Sequence, residues 1–326
     1  MSDERFFLTG ALGCIGAWTA RNLVRDGAAV TVFDLGTNHS RLELVMEPEE
    51  LARIHFIQAD ITDTDRVQTA MAESKSTHII HLAALQVPFC RANPPLGAAV
   101  NVVGTVNVFE AAKKLGIKQV VYASSIAVYG YADEYAEERV SNDAPLHPLN
   151  HYGVYKQANE GTARIYWQDD GIASIALRPY TIYGPARDQG MTSTPTKAML
   201  AAARGERYEI SFQGVNGFQY ADDVAKTFIQ AARTPFPGAG VYNLAGSIVD
   251  MSVVIAAIEA AEPSAAGRIT AADTVLPFPQ GFDDSELRKI LGDIPFTPLT
   301  QGVAETISLF KAAIAAGKLP KETVQE

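Results

Sequence analysis

Short apolar runs alternate with longer stretches of helical periodicity through the first half of the chain. Two of the runs, Val30-Thr31-Val32-Phe33 and Val120-Val121-Tyr122, are almost continuously apolar. Continuous apolar strands are typical of parallel sheets that are covered by helices on both faces. The runs predict strands over residues 5–9, 29–34, 55–60, 78–83 and 119–124.

The segments between these strands predict helices. Apolar residues recur at helical spacing over 15–26, over 64–72 behind a predicted Thr62 cap, and over 96–115, a long stretch that Gly116 closes. Strand, helix and strand then repeat, which predicts a right-handed, doubly wound α/β fold around a parallel sheet.

The pattern changes after Arg178. Glycines and prolines interrupt the following segment. Helical periodicity returns over 196–204 and 222–233, and a strand is predicted over 241–244. We therefore expect a first domain over residues 1–180, with a later return near 211–245. A smaller C-terminal α/β domain over 181–326 is expected to close as a lid over the sheet edge.

Composition narrows the class of protein. The 326 residues are 47% hydrophobic, and 27 Lys and Arg against 37 Asp and Glu give a net charge of −10. A surface of this sign repels nucleic acid and anionic membranes, so we expect neither as a partner. Two cysteines, Cys14 and Cys90, do not make a disulfide framework. No apolar run has the roughly 18 residues of a membrane span, and the sequence predicts a cytoplasmic protein.

A glycine-rich loop, Gly10-Ala11-Leu12-Gly13-Cys14-Ile15-Gly16, follows the first strand directly. Glycines at these places permit a tight turn, the close approach of the backbone to a pyrophosphate, and the packing of a helix on a strand. The helix that begins here offers free N–H groups and the positive end of its dipole to phosphates. The loop therefore predicts a dinucleotide site on a Rossmann fold.

Acidic residues end the second and third strands. Asp34 stands where a carboxylate accepts hydrogen bonds from the adenosine ribose and repels the additional phosphate of NADP. Arg41 lies nearby in sequence and opposes that repulsion, but Asp34 favours NAD as the cofactor. Asp60 and Ile61 are candidates for holding the adenine, although Asp60 also fits a helix-capping role.

Tyr152 and Lys156 lie four residues apart at the start of a helical stretch, so they share one helix face. An ammonium group near a phenol favours the phenolate, which lowers the pKa of the tyrosine and makes it a base for an alcohol proton. Ser124 and Ser125 end the fifth strand, at the sheet edge where open α/β sheets bind ligands. A serine hydroxyl there is able to orient a reacting oxygen.

Together these motifs resemble the extended short-chain dehydrogenase/reductases, and in particular their NAD-dependent epimerase/dehydratase branch. The resemblance spans most of the chain, and its motifs fall in the family's order. The matching segments are the glycine loop, His81-Leu82-Ala83-Ala84, Asn101-Val102-Val103-Gly104-Thr105, Ser124-Ser125 with Val128-Tyr129-Gly130, the Tyr152/Lys156 pair, Arg178-Pro179-Tyr180, Tyr183-Gly184-Pro185, and Tyr220-Ala221-Asp222-Asp223-Val224-Ala225.

The resemblance implies roles for individual residues. Tyr152 is the expected general acid/base, Lys156 tunes it and holds the nicotinamide ribose, and Ser125 binds the substrate oxygen. Gln86 and Arg187 are further substrate-binding candidates, although Arg187 is either a ligand for a carboxylate or phosphate or a solvated loop residue. No metal is expected. The expected cofactor contacts are Gly10, Gly13, Cys14, Ile15, Gly16, Asp34, Asp60, Ile61, Ala83, Ala84, Asn101, Tyr152, Lys156 and Tyr180.

Departures from the family pattern narrow the expected substrate. Ile126 and Ala127 stand where the family's dehydratases carry an acidic pair, so a dehydratase is not expected. Asn216 and Gly217 stand where nucleotide-sugar epimerases place an arginine and an aspartate, and Arg268 is too early for the second arginine. Losing two bidentate phosphate partners costs on the order of several kcal/mol of affinity. A free sugar, sugar acid, lactone or polyol is therefore expected to fit.

We expect hydride transfer at a secondary alcohol of a carbohydrate by an epimerase or, alternatively, by a sugar or sugar-acid dehydrogenase. A non-catalytic NAD-binding sensor is a third possibility, against which the presence of Tyr152 and Lys156 counts. The helical stretches 96–115 and 152–167 are apolar on more faces than one sheet contact requires. Since equivalent helices pair in the family, a twofold homodimer is expected.

Overall fold

The computed structural model describes residues 4–320, which contain fourteen strands and thirteen α-helices. The strands are β1 (Arg5–Thr9), β2 (Ala29–Asp34), β3 (Ile54–Gln58), β4 (His78–His81), β5 (Gln119–Ala123), β6 (Arg139–Val140), β7 (Ala173–Arg178), β8 (Thr181–Tyr183), β9 (Tyr208–Ile210), β10 (Val215–Tyr220), β11 (Ala239–Asn243), β12 (Ser247–Asp250), β13 (Ile269–Ala271) and β14 (Gly281–Phe282). The helices are α1 (Cys14–Arg25), α2 (Ser40–Val45), α3 (Pro48–Leu51), α4 (Thr64–Glu73), α5 (Val87–Ala92), α6 (Pro94–Ala98), α7 (Gly104–Leu115), α8 (His151–Asp170), α9 (Thr194–Arg204), α10 (Ala221–Arg233), α11 (Met251–Ala261), α12 (Ser285–Leu291) and α13 (Leu299–Ala315).

Seven strands form the main sheet in the order β11-β7-β5-β4-β1-β2-β3, and all neighbouring pairs are parallel. Every residue of β7 is buried, as are the last four of β1. This burial explains the continuous apolar runs, because helices cover both faces of the sheet. The doubly wound α/β fold predicted from the sequence is confirmed.

Two apolar clusters join the helices to the sheet. On one face α1 and α10 pack with residues such as Trp18, Leu23 and Phe228. On the other face α4, α7 and α8 contribute Met71, Phe109 and Ala163. The helices of this described part of the chain include none that is long and apolar enough to cross a membrane.

The strand order reverses between β1 and β4, because the chain returns across the sheet after β3. At such a reversal the loops that follow the two strands diverge and leave a crevice outside the carboxyl ends of the strands. The topology therefore fixes the place of the ligand cleft before any side chain is considered.

A smaller part of the molecule has its own apolar core. Helices α9, α11 and α13 pack around residues that include Met199, Ile258 and Phe310. Its main sheet has the order β12-β10-β8, with β10 parallel to β8 and antiparallel to β12. Two separate two-stranded parallel sheets, β9 with β13 and β6 with β14, lie outside this three-stranded sheet.

The chain passes between the two parts more than once. Helix α10 and strand β11 return to the main layers through Phe228 and Tyr242, and α12 returns again through Leu287. Strand β10, which the sequence placed in the returning segment 211–245, belongs instead to the smaller sheet. The division into domains over 1–180 and 181–326 stays a prediction, and residues 1–3 and 321–326 lie outside the described part.

One local prediction is wrong. The cap of α4 is Asp63, whose carboxylate accepts from the Arg66 backbone N–H at 2.9 Å, and not Thr62. The helical stretch predicted over 96–115 is present and runs without a break through α6, a π-helical turn over Ala99–Val103, and α7. Gly116 does close α7 in the left-handed conformation, as predicted.

Candidate active site

A cleft of about 730 Å³ lies at the predicted edge of the main sheet. Its walls come from the loops after β1, β2, β3, β4 and β5, from the start of α8, and from the segment that follows β8. All the sequence-predicted site residues except Asn101 line this cleft. Side chains separated by up to about half of the chain are thus brought together.

The glycine loop forms the floor of the cleft beneath the start of α1. Gly10 has φ +72°, and a Cβ there would lie 2.5 Å from the backbone nitrogen of Ala83. Only glycine fits this close crossing of two chain segments. Gly13 caps α1 without a side-chain hydrogen bond, and the first turn holds no acidic residue. The free N–H groups of this turn are therefore available to an anion.

Cys14, in this turn, is not a reactive thiol. Burial raises the pKa of Cys14 to about 12, so the sulfur stays protonated near neutral pH. Its Sγ atom lies 3.9 Å from the carbonyl oxygen of Pro185. The residue acts as a compact side chain in the turn.

Asp34 organises the loops at the ribose end of the cleft. Its Oδ2 accepts from the Leu12 backbone N–H and its Oδ1 from the Gly36 N–H, both at 3.0 Å. Each carboxylate oxygen keeps acceptor capacity for further donors, such as ribose hydroxyls. Arg41 is engaged elsewhere, because it donates to the Leu12 carbonyl at 2.8 Å and pairs with Asp188 at 2.8 Å. The sequence around Arg41 contains no pattern that indicates this partner, which lies 147 residues away.

The far end of the cleft is bounded by Asp60 and Ile61. Asp60 Oδ1 accepts from the Thr62 backbone N–H at 2.9 Å, which shapes the turn after β3. Ile61 packs against Gly104, where a Cβ would lie 2.8 Å from the isoleucine side chain. The helix-capping role considered for Asp60 belongs to Asp63.

Ser125, Tyr152 and Lys156 meet at the other end of the cleft. The Lys156 ammonium lies 5.6 Å from the centre of the Tyr152 ring and donates to the Ala123 carbonyl at 2.6 Å. The Ser125 hydroxyl lies near the Tyr152 hydroxyl and acts to lower its pKa. A Cβ on Gly153 would overlap the carbonyl oxygen of Ala127, so glycine allows α8 to approach the segment that carries Ser125.

The electrostatics of this end depend on burial. Although Tyr152 keeps some surface exposure, its hydroxyl lies deep in the cleft, and burial raises the pKa of Tyr152. The Ser125 hydroxyl and the Arg187 guanidinium act in the opposite direction. Burial also lowers the pKa of Lys156 to about 8. An ammonium with so low a pKa is able to exchange protons near neutral pH.

Helix α8 is held by a buried ion pair that the sequence analysis missed. Glu160 binds Arg178 through two hydrogen bonds of 2.8 Å, and both side chains are almost fully buried. Ser124 donates to the same carboxylate at 2.5 Å, and Arg178 also donates to the Tyr129 hydroxyl at 2.6 Å. The helix that carries Tyr152 is thereby tied to the ends of β5 and β7. Glu160 stands one helical turn beyond Lys156, and that spacing was the available signal.

Asn101 has a different position from the one predicted. It is 1% exposed and lies behind the cleft wall. Its Oδ1 accepts from the Leu85 N–H at 2.7 Å, and its Nδ2 donates to the Leu85 carbonyl at 2.9 Å. The inward-facing π-helical turn explains this position. We therefore assign Asn101 to holding the loop after β4, which carries Ala83 and Ala84, and not to direct cofactor contact.

Arg187 and Gln86 face each other beside the catalytic end. A Cβ on Gly190 would lie 3.3 Å from Arg187 Nη2 and would clash with Gln86 Oε1, so both side chains border this glycine. Arg187 Nη2 donates to Thr192 Oγ1 at 3.1 Å, while its buried Nε has no hydrogen-bond partner. Within residues 4–320 no carboxylate pairs with this guanidinium.

The positions at which the sequence departs from the pattern of nucleotide-sugar epimerases supply no arginine to the cleft. Asn216 is buried and accepts from the Tyr180 hydroxyl at 3.1 Å. Arg268 donates to the Gly205 carbonyl, away from the cleft. The arginines among the cleft-lining residues are Arg41 and Arg187. No cluster of His, Cys, Asp and Glu in the described residues has the composition of a metal site.

Comparison with known proteins identifies what this chain is similar to. The model of the NAD dependent epimerase/dehydratase family matches residues 6–245. A UDP-glucose 4-epimerase of Mycolicibacterium smegmatis is 31% identical over 94% of this chain and 98% of its own length. A solved UDP-N-acetylglucosamine 4-epimerase from Methanobrevibacter ruminantium M1, in complex with UDP-N-acetylmuramic acid, is 25% identical with a TM-score of 0.83, over 96% of this chain and 99% of that one. MoeE5 in complex with UDP-glucuronic acid and NAD is 25% identical with a TM-score of 0.78, over 95% and 99%.

The predicted cofactor, NAD, is confirmed by the family, and the residues present fit it. The close crossing at Gly10 leaves the floor of the cleft free of side chains, and the free amides of α1 suit a pyrophosphate. Asp34 and Lys156, which are expected to contact the two riboses, both line the same cleft.

Asp34 generates a prediction on cofactor choice. We expect the protein to bind NADH about 10–100-fold more tightly than NADPH, because a ribose–carboxylate hydrogen bond is lost and a phosphate is repelled. Asp34→Asn keeps an acceptor for Leu12 but removes the charge, and should narrow this ratio. Fluorescence titration of the apoprotein with both cofactors measures it. Equal or tighter binding of NADPH by the unaltered protein would show that Arg41 governs the choice.

Proposed function

Since the chain belongs to the NAD dependent epimerase/dehydratase family, we propose that it inverts a secondary alcohol carbon of a sugar substrate by NAD-dependent epimerisation. One observation carries the proposal: Ser125, Tyr152 and Lys156 meet in the same cleft as the glycine loop. The epimerase names of the relatives support it, and they do not favour the dehydrogenase or the sensor.

In the proposed reaction Tyr152 moves the proton. Its oxygen takes the proton of the substrate hydroxyl while the hydride leaves the same carbon, and it gives a proton back when the hydride returns to the opposite face. Bound NAD supplies the hydride acceptor and afterwards the donor. Hydride and proton are both restored, so the substrate undergoes no net oxidation.

Lys156 and Ser125 prepare Tyr152 for this task. The Lys156 ammonium lies 5.6 Å from the centre of the Tyr152 ring and is fixed by its hydrogen bond to the Ala123 carbonyl, and its proposed task is to oppose the effect of burial on the Tyr152 hydroxyl. The Ser125 hydroxyl lies near the Tyr152 hydroxyl and is placed to donate to the reacting oxygen. We propose that Gln86 also contacts the substrate, beside Tyr152.

Arg187 is proposed to bind an anionic group of the substrate. A buried guanidinium nitrogen without a partner is costly, and a carboxylate or phosphate would satisfy it. Because Asn216 and Arg268 supply no guanidinium to the cleft, the usual phosphate partners are missing. The proposed substrate is therefore an acidic sugar, and we propose that its nucleotide, where present, contributes little affinity.

The catalytic assignment predicts a pattern across three variants. Tyr152→Phe should lower turnover about 10²–10⁴-fold, because it removes only the ionisable hydroxyl, and should leave the affinity for NAD nearly unchanged. Lys156→Met should lower both turnover and the affinity for NAD, since this side chain is proposed to act on Tyr152 and to bind the nicotinamide ribose. Ser125→Ala should mainly lower turnover. Steady-state rates and NAD titration measure the pattern; three rates near that of the unaltered protein would refute it.

The epimerase proposal predicts the products of an assay with UDP-glucose, UDP-glucuronic acid and free glucuronic acid as probes. We expect an epimer of an acidic probe, no accumulation of the NADH absorbance band, and no solvent deuterium on the inverted carbon. Steady growth of NADH would instead establish the dehydrogenase. Turnover of the UDP-sugars alone would show that the predicted independence from the nucleotide is wrong. NAD binding with no turnover of any sugar would favour the sensor.

We also propose a twofold homodimer built on the outer face of α8. The apolar residues Leu96, Val103, Val154 and Ile165 are each almost half exposed on α6, the π-helical turn and α8, which adjoin one another. Exposed apolar residues at helical spacing are typical of a helix-pairing interface. Multi-angle light scattering should give twice the 35.0 kDa chain mass, and Val154→Glu should yield monomers. A concentration-independent monomer would end this proposal.

The cytoplasmic location stays a prediction.

A further inference from the structure

The segment between β8 and α9 has an unusual backbone. Three residues in a span of seven have positive φ: Gly184 at +122°, Ala186 at +72° and Gly190 at +96°. For alanine the left-handed conformation costs roughly 1–2 kcal/mol, so the surrounding contacts must enforce it. The strain turns the chain sharply just before Arg187 and Asp188. These adjacent residues of opposite charge therefore reach different parts of the cleft.

The two ends of this loop are anchored independently of its middle. The Trp18 indole N–H donates to the Pro185 carbonyl at 2.9 Å, and the hydroxyl of Thr194, which follows the loop directly, is hydrogen-bonded to the Ser211 hydroxyl at 3.0 Å. Between these anchors, among the described residues, the contact that joins the loop to the cofactor side is the ion pair of Asp188 with Arg41.

Arg41 connects this ion pair to the dinucleotide loop. Its guanidinium donates to Asp188 from Nε and Nη2, and to the Leu12 carbonyl from Nη1, all at 2.8 Å. Leu12 is in turn held through its N–H by Asp34. A continuous series of polar contacts thus runs from the ribose-binding carboxylate, across the cleft, to the residue beside Arg187.

We propose that Asp188 is a positioning residue, which by pairing with Arg41 across the cleft holds the 184–193 loop so that Arg187 meets the anionic group of the substrate beside Tyr152. The inference rests on the proposed function for the role of Arg187. It goes beyond that function by making substrate recognition depend on a contact at the cofactor end.

The expected size of the effect follows from exposure. Asp188 keeps 56% of its side-chain surface and Arg41 keeps 21%. Exposed ion pairs are worth at most about a fivefold change in an equilibrium constant. Breaking this one should therefore weaken binding of an acidic sugar by about two- to fivefold, without unfolding the loop.

Binding to NAD-loaded protein tests the proposal in a Tyr152→Phe background, in which turnover is expected to be slow enough for binding to be measured. The probes are UDP-glucuronic acid and its uncharged-sugar counterpart UDP-glucose. Asp188→Asn should raise the Kd of UDP-glucuronic acid two- to fivefold and leave that of UDP-glucose unchanged. Asp188→Glu, which keeps the charge, should restore much of the affinity. Glu286→Gln removes an equal charge from an exposed pair with Lys289, outside the residues that line the cleft, and serves as the matched control.

A double-mutant cycle separates positioning from an independent effect. In an Arg187→Met background, Asp188→Asn should have no further effect on the Kd of UDP-glucuronic acid, because the side chain that it positions is gone. An undiminished effect in that background, or equal weakening of both probes, would overturn the proposal. A weaker affinity for NAD as the only change would assign the pair to cofactor retention instead, and would equally overturn it.

Amide hydrogen exchange provides a readout that does not require a substrate. Asp188→Asn should speed exchange across residues 187–192 in the NAD-loaded protein, whereas Glu286→Gln should not. If neither probe binds but this exchange accelerates, the proposed substrate class fails while the restraint on the loop stands. If the probes bind and exchange is unchanged, the positioning role fails while the proposed function stands.

Discussion

The exclusion of water from one ion pair governs the catalytic end of this molecule. Glu160 and Arg178 are both almost fully buried, and the removal of either partner from such a pair typically costs about 3–5 kcal/mol. Their two hydrogen bonds therefore have to be kept, and keeping them fixes α8 against the carboxyl ends of β5 and β7. Tyr152 and Lys156 lie on the same helix, so the placement of the proposed reaction follows from a constraint that takes no part in it.

Charge is distributed unevenly along the cleft. The acidic residues Asp34 and Asp60 lie at the end nearer the glycine loop, whereas Lys156 and Arg187 lie at the other end, and within residues 4–320 neither forms an ion pair with a carboxylate. The protein as a whole has a net charge of −10, so two basic side chains at this end contrast with the rest of the chain. Arg187, the residue proposed to bind an anionic substrate, also opposes the effect of burial on the pKa of Tyr152. Selection of the substrate and activation of the base thus draw on the same electrostatic source.

The sequence predicted those features that depend on local pattern. Burial on both faces produced readable strands, and the glycine loop, Asp34 and the Tyr152/Lys156 spacing each follow from a short-range rule of geometry. Contacts between distant residues left no such trace. The Arg41–Asp188 pair joins residues 147 apart, and its position depends on the left-handed backbone at Ala186. Asn101 was misplaced because no periodicity in its segment predicts a π-helical turn.

The repeated passage of the chain between its two cores has a consequence for its synthesis. Strand β11 forms one edge of the main sheet and α12 seals its outer layer, yet both are made after β8, α9 and β10 of the smaller part. During synthesis the first seven helices and the early strands emerge in order, but the main sheet is complete only after residues near 243, which form its edge strand β11, have been made. The smaller part therefore does not form a separate terminal segment that could be deleted without removing β11 and α12 from the main layers. Because the two cores are interleaved along the chain, neither is complete without segments that follow the other.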